Sequence, residues 1–161
     1  MATIVYTTNA GSSEKYANML GEKTGYSVVS LAKSGSVSAD EEIIYIGWVM
    51  AGTLQGYADA IKKFSNIKAV CAVGMSSDEK DKSELQTKNN ITQPLFLLAG
   101  SFSISNLKGM YKIMMNMAVK AMQSKLKDAS DDEKKALDMF VNGFDFVSED
   151  NLTPIIEFLN N

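Results

Sequence analysis

Residues 2 to 13 read ATIVYTTNAGSS, and this stretch decides the fold. Its first six residues are mostly β-branched or aromatic, which is the composition of a buried strand. The loop Thr8-Asn9-Ala10-Gly11-Ser12-Ser13 follows, and a helical pattern begins within it and continues over residues 12–22. A strand that passes through a tight loop into a helix opens a βαβ unit, so this stretch predicts a parallel sheet.

The rest of the chain repeats this alternation of short apolar runs with helical patterns. Further strands are predicted at residues 26–31, 42–47, 67–73 and 94–99. Helices are predicted at residues 53–64, 78–88, 106–127, 130–141 and 154–159, whereas residues 32–40 are too polar for a helix. Ser130-x-x-Glu133 is a capping box, Gly143 a helix stop, and Thr153 a cap before Pro154. The pattern predicts one α/β domain over residues 1–161, with helices on both faces of a five-stranded parallel sheet.

Composition excludes several classes of function. The chain has 161 residues, 45% of them hydrophobic, and a net charge of −3, which argues against general nucleic-acid binding. No apolar run is long enough for a membrane span, and the start of the sequence does not resemble a signal peptide. One cysteine, Cys71, cannot form an internal disulfide, so we expect a cytoplasmic protein with a buried, inert thiol. Without any histidine, redox chemistry would have to come from an organic cofactor.

The loop from Thr8 to Ser13 is the first candidate ligand site. Ligands of open α/β sheets bind beyond the carboxyl ends of the strands, and a helix N-terminus there offers unpaired N–H groups to a phosphate. Gly11 would let the backbone approach closely, and Thr8, Ser12 and Ser13 would add hydroxyls. The loop is neither a Walker A motif nor G-x-G-x-x-G, which disfavours ordinary nucleotide sites. From these residues alone, a phosphate site and a simple helix cap both stay open.

The same loop resembles the phosphate fingerprint of flavodoxins, [ST]-x-[ST]-G-x-[ST]. Thr8, Gly11 and Ser13 match that pattern, and Ala10 replaces one hydroxyl residue. The wider stretch IVYTTNAGSSEKYA resembles the flavodoxin-domain subfamily that includes flavodoxin-type protoporphyrinogen oxidases. The resemblance implies a flavodoxin-like three-layer sandwich with strand order 2-1-3-4-5, and it implies FMN as the cofactor.

Two more loops are implicated by this resemblance, because flavodoxins close over the flavin ring after the third and fifth strands. The loop after the third strand is Trp48-Val49-Met50-Ala51-Gly52, and Trp48 either stacks on the ring or points into the core. The loop after the fifth strand contains Gly100, Ser101 and Phe102, where Phe102 has the same two alternatives. No residue is predicted to be catalytic, and no metal site is predicted.

The leading hypothesis is therefore an FMN-binding protein that acts in electron transfer. One alternative is an FMN-dependent oxidoreductase similar to protoporphyrinogen oxidases or quinone reductases. Another is a flavodoxin-fold binding module without FMN. We expect a redox partner protein or a small-molecule electron acceptor, in a monomer or homodimer. The methionines of the long helix, at positions 110, 114, 115, 117 and 122, form either a core face or a partner surface. The lysines of this helix form either a solvated face or a face that contacts an acidic partner.

Overall fold

The computed structural model describes residues 2–75 and 78–161, and in this part of the chain five parallel strands form the central sheet. The strands are β1 (Thr3–Tyr6), β2 (Ser27–Ser30), β3 (Ile43–Met50), β4 (Thr53–Leu54), β5 (Ile67–Gly74), β6 (Leu95–Ala99), β7 (Ser101–Phe102) and β8 (Phe144–Asp145). The helices are α1 (Ser12–Thr24), α2 (Tyr57–Lys63), α3 (Glu79–Asn89), α4 (Met110–Ser124), α5 (Asp131–Asn142) and α6 (Thr153–Asn160). The sheet order is β2-β1-β3-β5-β6, which confirms the predicted 2-1-3-4-5 order of a flavodoxin-like three-layer sandwich.

Side chains alternate across the sheet and form two cores. Tyr45 of β3 packs with Tyr57 and Phe64 on the face covered by α2 and α3. Ile44, its neighbour in β3, packs on the opposite face against Tyr16 of α1 and Ile155 of α6. Both faces of the sheet are thus buried under helices, as its continuous apolar strands require.

Two of the predicted helices are shorter than their patterns indicated. Residues 53–64 do not form one helix, because Thr53–Leu54 pairs antiparallel with the end of β3 and the helix begins only at Tyr57. The long helix covers Met110–Ser124 rather than residues 106–127, and single 3-10 turns lie on either side, at Ile104–Asn106 and Leu126–Asp128.

Helix ends follow the sequence signals unevenly. The capping box of Ser130 and Glu133 is present in full, and Gly143 ends α5 as predicted. Thr153 is not a cap, because the 3-10 turn Glu149–Leu152 leads straight into α6 and Thr153 is already helical. Leu31–Ser36 form a 3-10 helix, which takes in the last residue of the predicted second strand and the first part of the segment 32–40 predicted not to be a regular helix.

The helices α4 and α5 lie outside the three layers. The chain leaves the sheet after β6, runs through β7 into α4 and α5, and returns through β8 beside the point where it left. The helix that covers β6 is instead α6, since Leu152 and Ile155 are completely buried in the same core as Leu98. None of the helices in the described ranges 2–75 and 78–161 is both long and apolar enough to cross a membrane.

Candidate functional site

A cleft of about 230 Å³ opens at the carboxyl edge of the sheet, where β1 and β3 are neighbours and the strand order reverses. Open α/β sheets bind ligands at this switch point. The predicted residues that line the cleft are Thr8, Asn9, Ala10, Ser12, Ser13, Trp48, Val49, Met50, Ala51, Gly100, Ser101 and Phe102. Gly11 and Gly52, also predicted, are not among its lining residues. The three predicted loops therefore meet at one cavity.

The first loop turns into α1 through Gly11, whose φ of 104° lies in the left-handed region that favours glycine. The Gly11 N–H donates to Thr8 Oγ1 at 3.0 Å, which closes the loop. The first backbone hydrogen bond of the helix runs from the Lys15 N–H to the Gly11 carbonyl. The N–H groups of Ser12, Ser13 and Glu14 precede that bond, so they form the donor-rich end of the helix dipole.

The two serine hydroxyls that open α1 have different environments. Ser12 Oγ lies 2.7 Å from Ser101 Oγ and accepts the Ser101 N–H at 3.1 Å, so it joins the first loop to the third. Ser13 is completely buried, and its Oγ has no hydrogen-bond partner among the described residues. A buried hydroxyl without a partner destabilises the fold, so this oxygen is a group that a ligand would satisfy.

The middle of the first loop is held by the segment that follows β7. The side-chain carbonyl of Asn9 accepts the Lys108 N–H at 3.3 Å. Ala10 contributes a methyl group to the cleft wall, where the fingerprint would place a hydroxyl. Hydrogen-bond donors to an anion at this point are therefore backbone N–H groups and Ser13 rather than a full ring of hydroxyls.

The second predicted loop is not a loop over most of its length. β3 continues through Trp48 and Val49 to Met50, and a two-residue turn at Ala51 and Gly52 reverses the chain into β4. Both turn residues have positive φ, 49° and 72°, which is the geometry of a type I′ hairpin turn. The predicted loop residues thus lie on a paired strand, which fixes their direction more firmly than a loop would.

Trp48 is half-buried and lies at the edge of the cleft. Its ring meets Tyr111 of α4 edge to face, with centroids 4.9 Å apart and planes at 83°. The Tyr111 hydroxyl in turn lies 3.3 Å from the side-chain carbonyl of Gln55. Trp48 is therefore not a fully buried core residue, and α4 fixes its ring through the contact with Tyr111.

Two residues at the end of α3 hold the tip of this hairpin. The Lys88 ammonium donates to the Ala51 carbonyl, and the Asn89 side-chain amide donates to the Gly52 carbonyl at 3.0 Å. Asn89 also accepts the Leu54 N–H at 2.9 Å. The hairpin that forms one wall of the cleft is thereby fixed to the body of the domain.

The third loop carries an aromatic cluster. The Phe102 ring packs edge to face on Phe140, 5.3 Å between centroids, and stacks on Phe144 at 6.0 Å. Phe102 also lines the cleft. The sequence left open whether this ring faces a ligand or packs in the core, and in the structure it both borders the cleft and packs on other aromatic rings. Gly100 anchors the loop, since its N–H donates to the Gly74 carbonyl at 2.8 Å.

Buried Tyr16 supports the cleft from below. Its hydroxyl donates to the Ala99 carbonyl, at the end of β6, and accepts the Asn151 side-chain amide at 2.7 Å. The Ser148 N–H is also directed at this oxygen, at 3.4 Å. Burial raises the pKa of Tyr16, and the hydrogen bonds from Asn151 and Ser148 oppose that rise. One side chain thus joins α1, the third loop and the segment before α6.

The lining of the cleft is almost wholly uncharged. None of its lining residues in the described part of the chain has an ionisable side chain, and the described residues contain no group of three metal-ligating side chains. Cys71 is completely buried in β5, and burial raises the pKa of its thiol, as expected for an inert cysteine. The arrangement suits an apolar group with an anionic end at α1, and the lining residues that the structure describes include no ionisable side chain for acid–base catalysis.

Several cleft residues were missed from the sequence. Leu107 lies just before α4 and Met115 lies in it, whereas Phe140 and Phe144 come from the end of α5 and from β8. The aromatic run FVNGFDF over residues 140–146 was the available signal, but nothing in it indicates that the chain returns to the third loop.

Comparisons of this chain with protein-family models, with curated proteins and with solved structures found no match. The choice of ligand for this cleft therefore comes from its own residues and from the resemblance of the first loop to the flavodoxin fingerprint.

Proposed function

We propose that this protein binds FMN in the cleft and acts in electron transfer. The observation that carries the proposal is Ser13, whose completely buried hydroxyl has no hydrogen-bond partner in residues 2–75 and 78–161. Ser13 lies at the N-terminus of a 13-residue helix, in the wall of a cleft at the sheet's switch point. A phosphate group would supply the acceptor that Ser13 lacks, and flavodoxin-like folds place FMN at the same β1/β3 position.

The phosphate would be held by neutral donors. The N–H groups of Ser12, Ser13 and Glu14 and the Ser13 hydroxyl lie together at the positive end of the α1 dipole. Ser12 Oγ already bonds to Ser101, so it would contribute mainly by holding the third loop in place. Glu14 is the only acid in the first turn, and its carboxylate accepts a hydrogen bond from the Tyr6 hydroxyl at 2.9 Å.

The apolar part of the cleft would take the flavin ring. Its apolar lining includes Trp48, Met50, Phe102, Leu107 and Met115. The volume of about 230 Å³ is below the roughly 300–1,000 Å³ of typical ligand pockets, so part of the nucleotide would lie outside it. These residues would exclude water from the ring, and bound FMN would supply the electron chemistry that the side chains lack.

The uncharged lining favours an electron carrier, because it provides no general acid or base. As part of the proposal we place the protein in the cytoplasm, where a free thiol such as Cys71 stays reduced. The acceptor would be a redox partner protein or a small molecule, and the protein would be a monomer or a homodimer.

A second candidate is an FMN-dependent oxidoreductase, and one observation favours it. An open cavity of about 580 Å³ lies beside the cleft, shares Trp48 with it and is lined by Asp59, Lys63 and Tyr111. This cavity would give a substrate access to one side of Trp48 and would place charged groups nearby. Turnover of a quinone or a porphyrinogen by the FMN-loaded protein would identify an enzyme, and its absence with retained FMN would identify a carrier.

The decisive experiment is a titration with FMN and with riboflavin, which lacks the phosphate, on the original protein and on Ser13→Ala. We expect the original protein to prefer FMN. Ser13→Ala should weaken FMN binding by about tenfold to a hundredfold and leave riboflavin binding unchanged, because one hydrogen bond to a charged group is lost. Without ligand, the variant should be as stable as the original or more stable, since it removes an unpaired buried oxygen.

Gly11→Asp is the companion variant. It adds a negative charge to the loop and a side chain at φ 104°, so the preference for FMN over riboflavin should disappear. Failure of the original protein to bind either flavin would refute the proposal and leave the binding module without FMN. Equal binding of both flavins would show that the phosphate adds nothing to the affinity, and it would refute the proposed phosphate site.

A further inference from the structure

The helix α4 has two apolar faces, and only one of them is packed. Four rows of residues spaced i, i+4, i+8 lie side by side around an α-helix. The row Tyr111, Met115 and Val119 faces the domain, with Val119 buried and the other two half-buried. The next two rows are also apolar but face away from the domain, which leaves a second apolar surface without a partner.

This outer surface, the methionine stripe, consists of Met110, Ile113, Met114, Met117, Ala118 and Ala121. Met110 is 69% exposed, Met117 66% and Ile113 56%. The stripe extends over eleven helical rises, a length of about 16 Å, or three turns. Single exposed apolar side chains are normal, but a continuous apolar stripe on an ordered helix marks an interaction surface.

The charges around the stripe identify the kind of partner. Lys112 and Lys120 form the fourth row of the helix, directly beside Ile113 and Met117. The segment from Leu107 to Lys127 contains five lysines and no acidic residue, in a chain whose net charge is −3. The ammonium groups of these lysines make no ion pair among the described residues, whereas Lys23, Lys62, Lys68 and Lys82 do.

We propose that the methionine stripe is a docking surface for an acidic amphipathic helix of a partner protein. The three-turn apolar strip matches the i, i+3, i+4, i+7 face of one such helix, and the lysine row would meet its acidic flank. Methionine suits this role because its unbranched side chain adapts to a partner's shape. The proposal does not depend on a bound cofactor.

Charge and composition also argue against the other possible occupants of the methionine stripe. A second copy of this chain would bring two sets of lysines to one interface with no acidic residue from either α4. A lipid surface would meet no tryptophan, phenylalanine or leucine in the stripe, and an anionic one would be repelled by Asp131, Asp132 and Glu133 in the same helical hairpin. An acidic protein helix satisfies both the apolar stripe and the lysines, which make no ion pair within the described part of the chain.

Docking here would place the partner beside the cleft. Tyr111 contacts Trp48, and Leu107 and Met115 line the cleft from the same segment. A helix on the methionine stripe is thus separated from the cleft by the width of α4 alone.

The test uses the purified full chain and a synthetic helical peptide with leucines at i, i+3, i+4 and i+7 and glutamates elsewhere. Controls are a peptide of the same composition in shuffled order and one with lysines in place of glutamates. Binding is followed by fluorescence anisotropy and by ¹³C-methyl NMR of the ten methionines. We expect micromolar, salt-dependent binding of the patterned acidic peptide, with shifts at Met110, Met114 and Met117.

The double variant Met114→Glu, Met117→Glu should weaken this binding by about tenfold or more, and Lys112→Glu with Lys120→Glu should transfer preference to the lysine peptide. Ile61→Glu, at a 44% exposed position of α2, is the matched control and should change nothing. Absence of binding at millimolar peptide, or equal binding of the shuffled peptide, would overturn the proposal. A dimer in sedimentation, or attachment to phosphatidylglycerol vesicles, that the methionine variants abolish would overturn it in favour of a second copy or a membrane.

Discussion

Ser12 and Ser101 are 89 residues apart in the chain, yet their hydroxyl oxygens lie 2.7 Å apart and close the cleft between the first and third loops. The Ser101 N–H also donates to Ser12 Oγ, at 3.1 Å. The contact joins the N-terminus of α1 to β7, and through β7 to the segment between β7 and β8 that contains α4 and α5. It therefore couples the candidate phosphate end of the cleft to its aromatic wall.

Ser12→Ala should destabilise the protein by about 1–2 kcal/mol, because it removes the hydrogen bonds and leaves the Ser101 N–H unpaired. Urea unfolding measures this change. Ser13→Ala is the matched control at the adjacent position, where no hydrogen bond is lost and no destabilisation is expected. Equal destabilisation by both changes would contradict the different environments of the two hydroxyls.

Gly56→Ala should be strongly destabilising. Gly56 has a φ of 76°, and a Cβ there would lie 2.4 Å from Thr7 Oγ1 and 2.5 Å from the Tyr45 hydroxyl. The backbone conformation alone costs about 1–2 kcal/mol, and the steric overlap adds to it. Gly25→Ala separates the two effects in thermal unfolding, because Gly25 has a φ of 75° with nothing within 4 Å. If the two variants lost the same stability, the overlap at Gly56 would be without consequence.

Ala51→Asn should stabilise the hairpin between β3 and β4 by about 0.5–1 kcal/mol. The type I′ turn requires positive φ at both central residues, and asparagine adopts that conformation more readily than alanine. Ala58→Asn, at an exposed position of α2, is the control and should be destabilising because alanine is the better helix former. Chemical denaturation of both variants tests the contrast, and a destabilised Ala51→Asn would be the contrary result.

Stability should fall above about pH 10, and buried Tyr45 should contribute to this loss. Burial raises the pKa of Tyr45, whereas its hydrogen bond to Thr7 opposes the rise. In this alkaline range the unfolded chain loses the tyrosine proton while the folded protein keeps it, so the free energy of unfolding decreases as pH rises. Each such group contributes up to about 1.4 kcal/mol per pH unit.

Tyr45→Phe provides the check on this pH dependence. The variant should be less stable at neutral pH, because the Gln55 carbonyl and Thr7 Oγ1 lose their partner. Its free energy of unfolding should nevertheless fall less steeply between about pH 10 and pH 11.5 than that of the original protein. Parallel pH profiles for the two proteins would show that Tyr45 does not titrate differently on unfolding.

The sheet was predictable because each strand is a short apolar run with a clear boundary. The runs at Ile4 and Ile44, for example, are buried on both faces, so composition alone identified them. The hairpin after Trp48 was missed for a local reason: alanine rarely adopts the positive φ that Ala51 has, so the turn had no sequence signal. The convergence of the three loops was expected from the resemblance to flavodoxins, whereas the contribution of Phe140 and Phe144 depended on the path of the segment between β7 and β8.

In α4 the helical periodicity of the sequence did not indicate which apolar face is buried. Tyr111, Met115, Met114 and Met117 occupy adjacent rows, and all of them are apolar. A helical pattern reveals that apolar rows exist, but the neighbouring elements decide which of them is covered. One side of this helix is therefore a packed face, at Met115 and Val119, whereas Met110, Met114 and Met117 on the other side are exposed and form the surface for which we propose a partner.

The ribbon of β7 and β8 has a consequence for how this protein can change. Because Phe102 pairs with Phe144, the chain leaves and rejoins the domain at adjacent points, and the segment between them packs on the domain beside the cleft, at Trp48 and Asn9. Such a segment can be lengthened, shortened or exchanged for another with the same end spacing, without re-routing the sheet. The ribbon is thus a point at which the chain can change its length and its associations while the sheet keeps its topology.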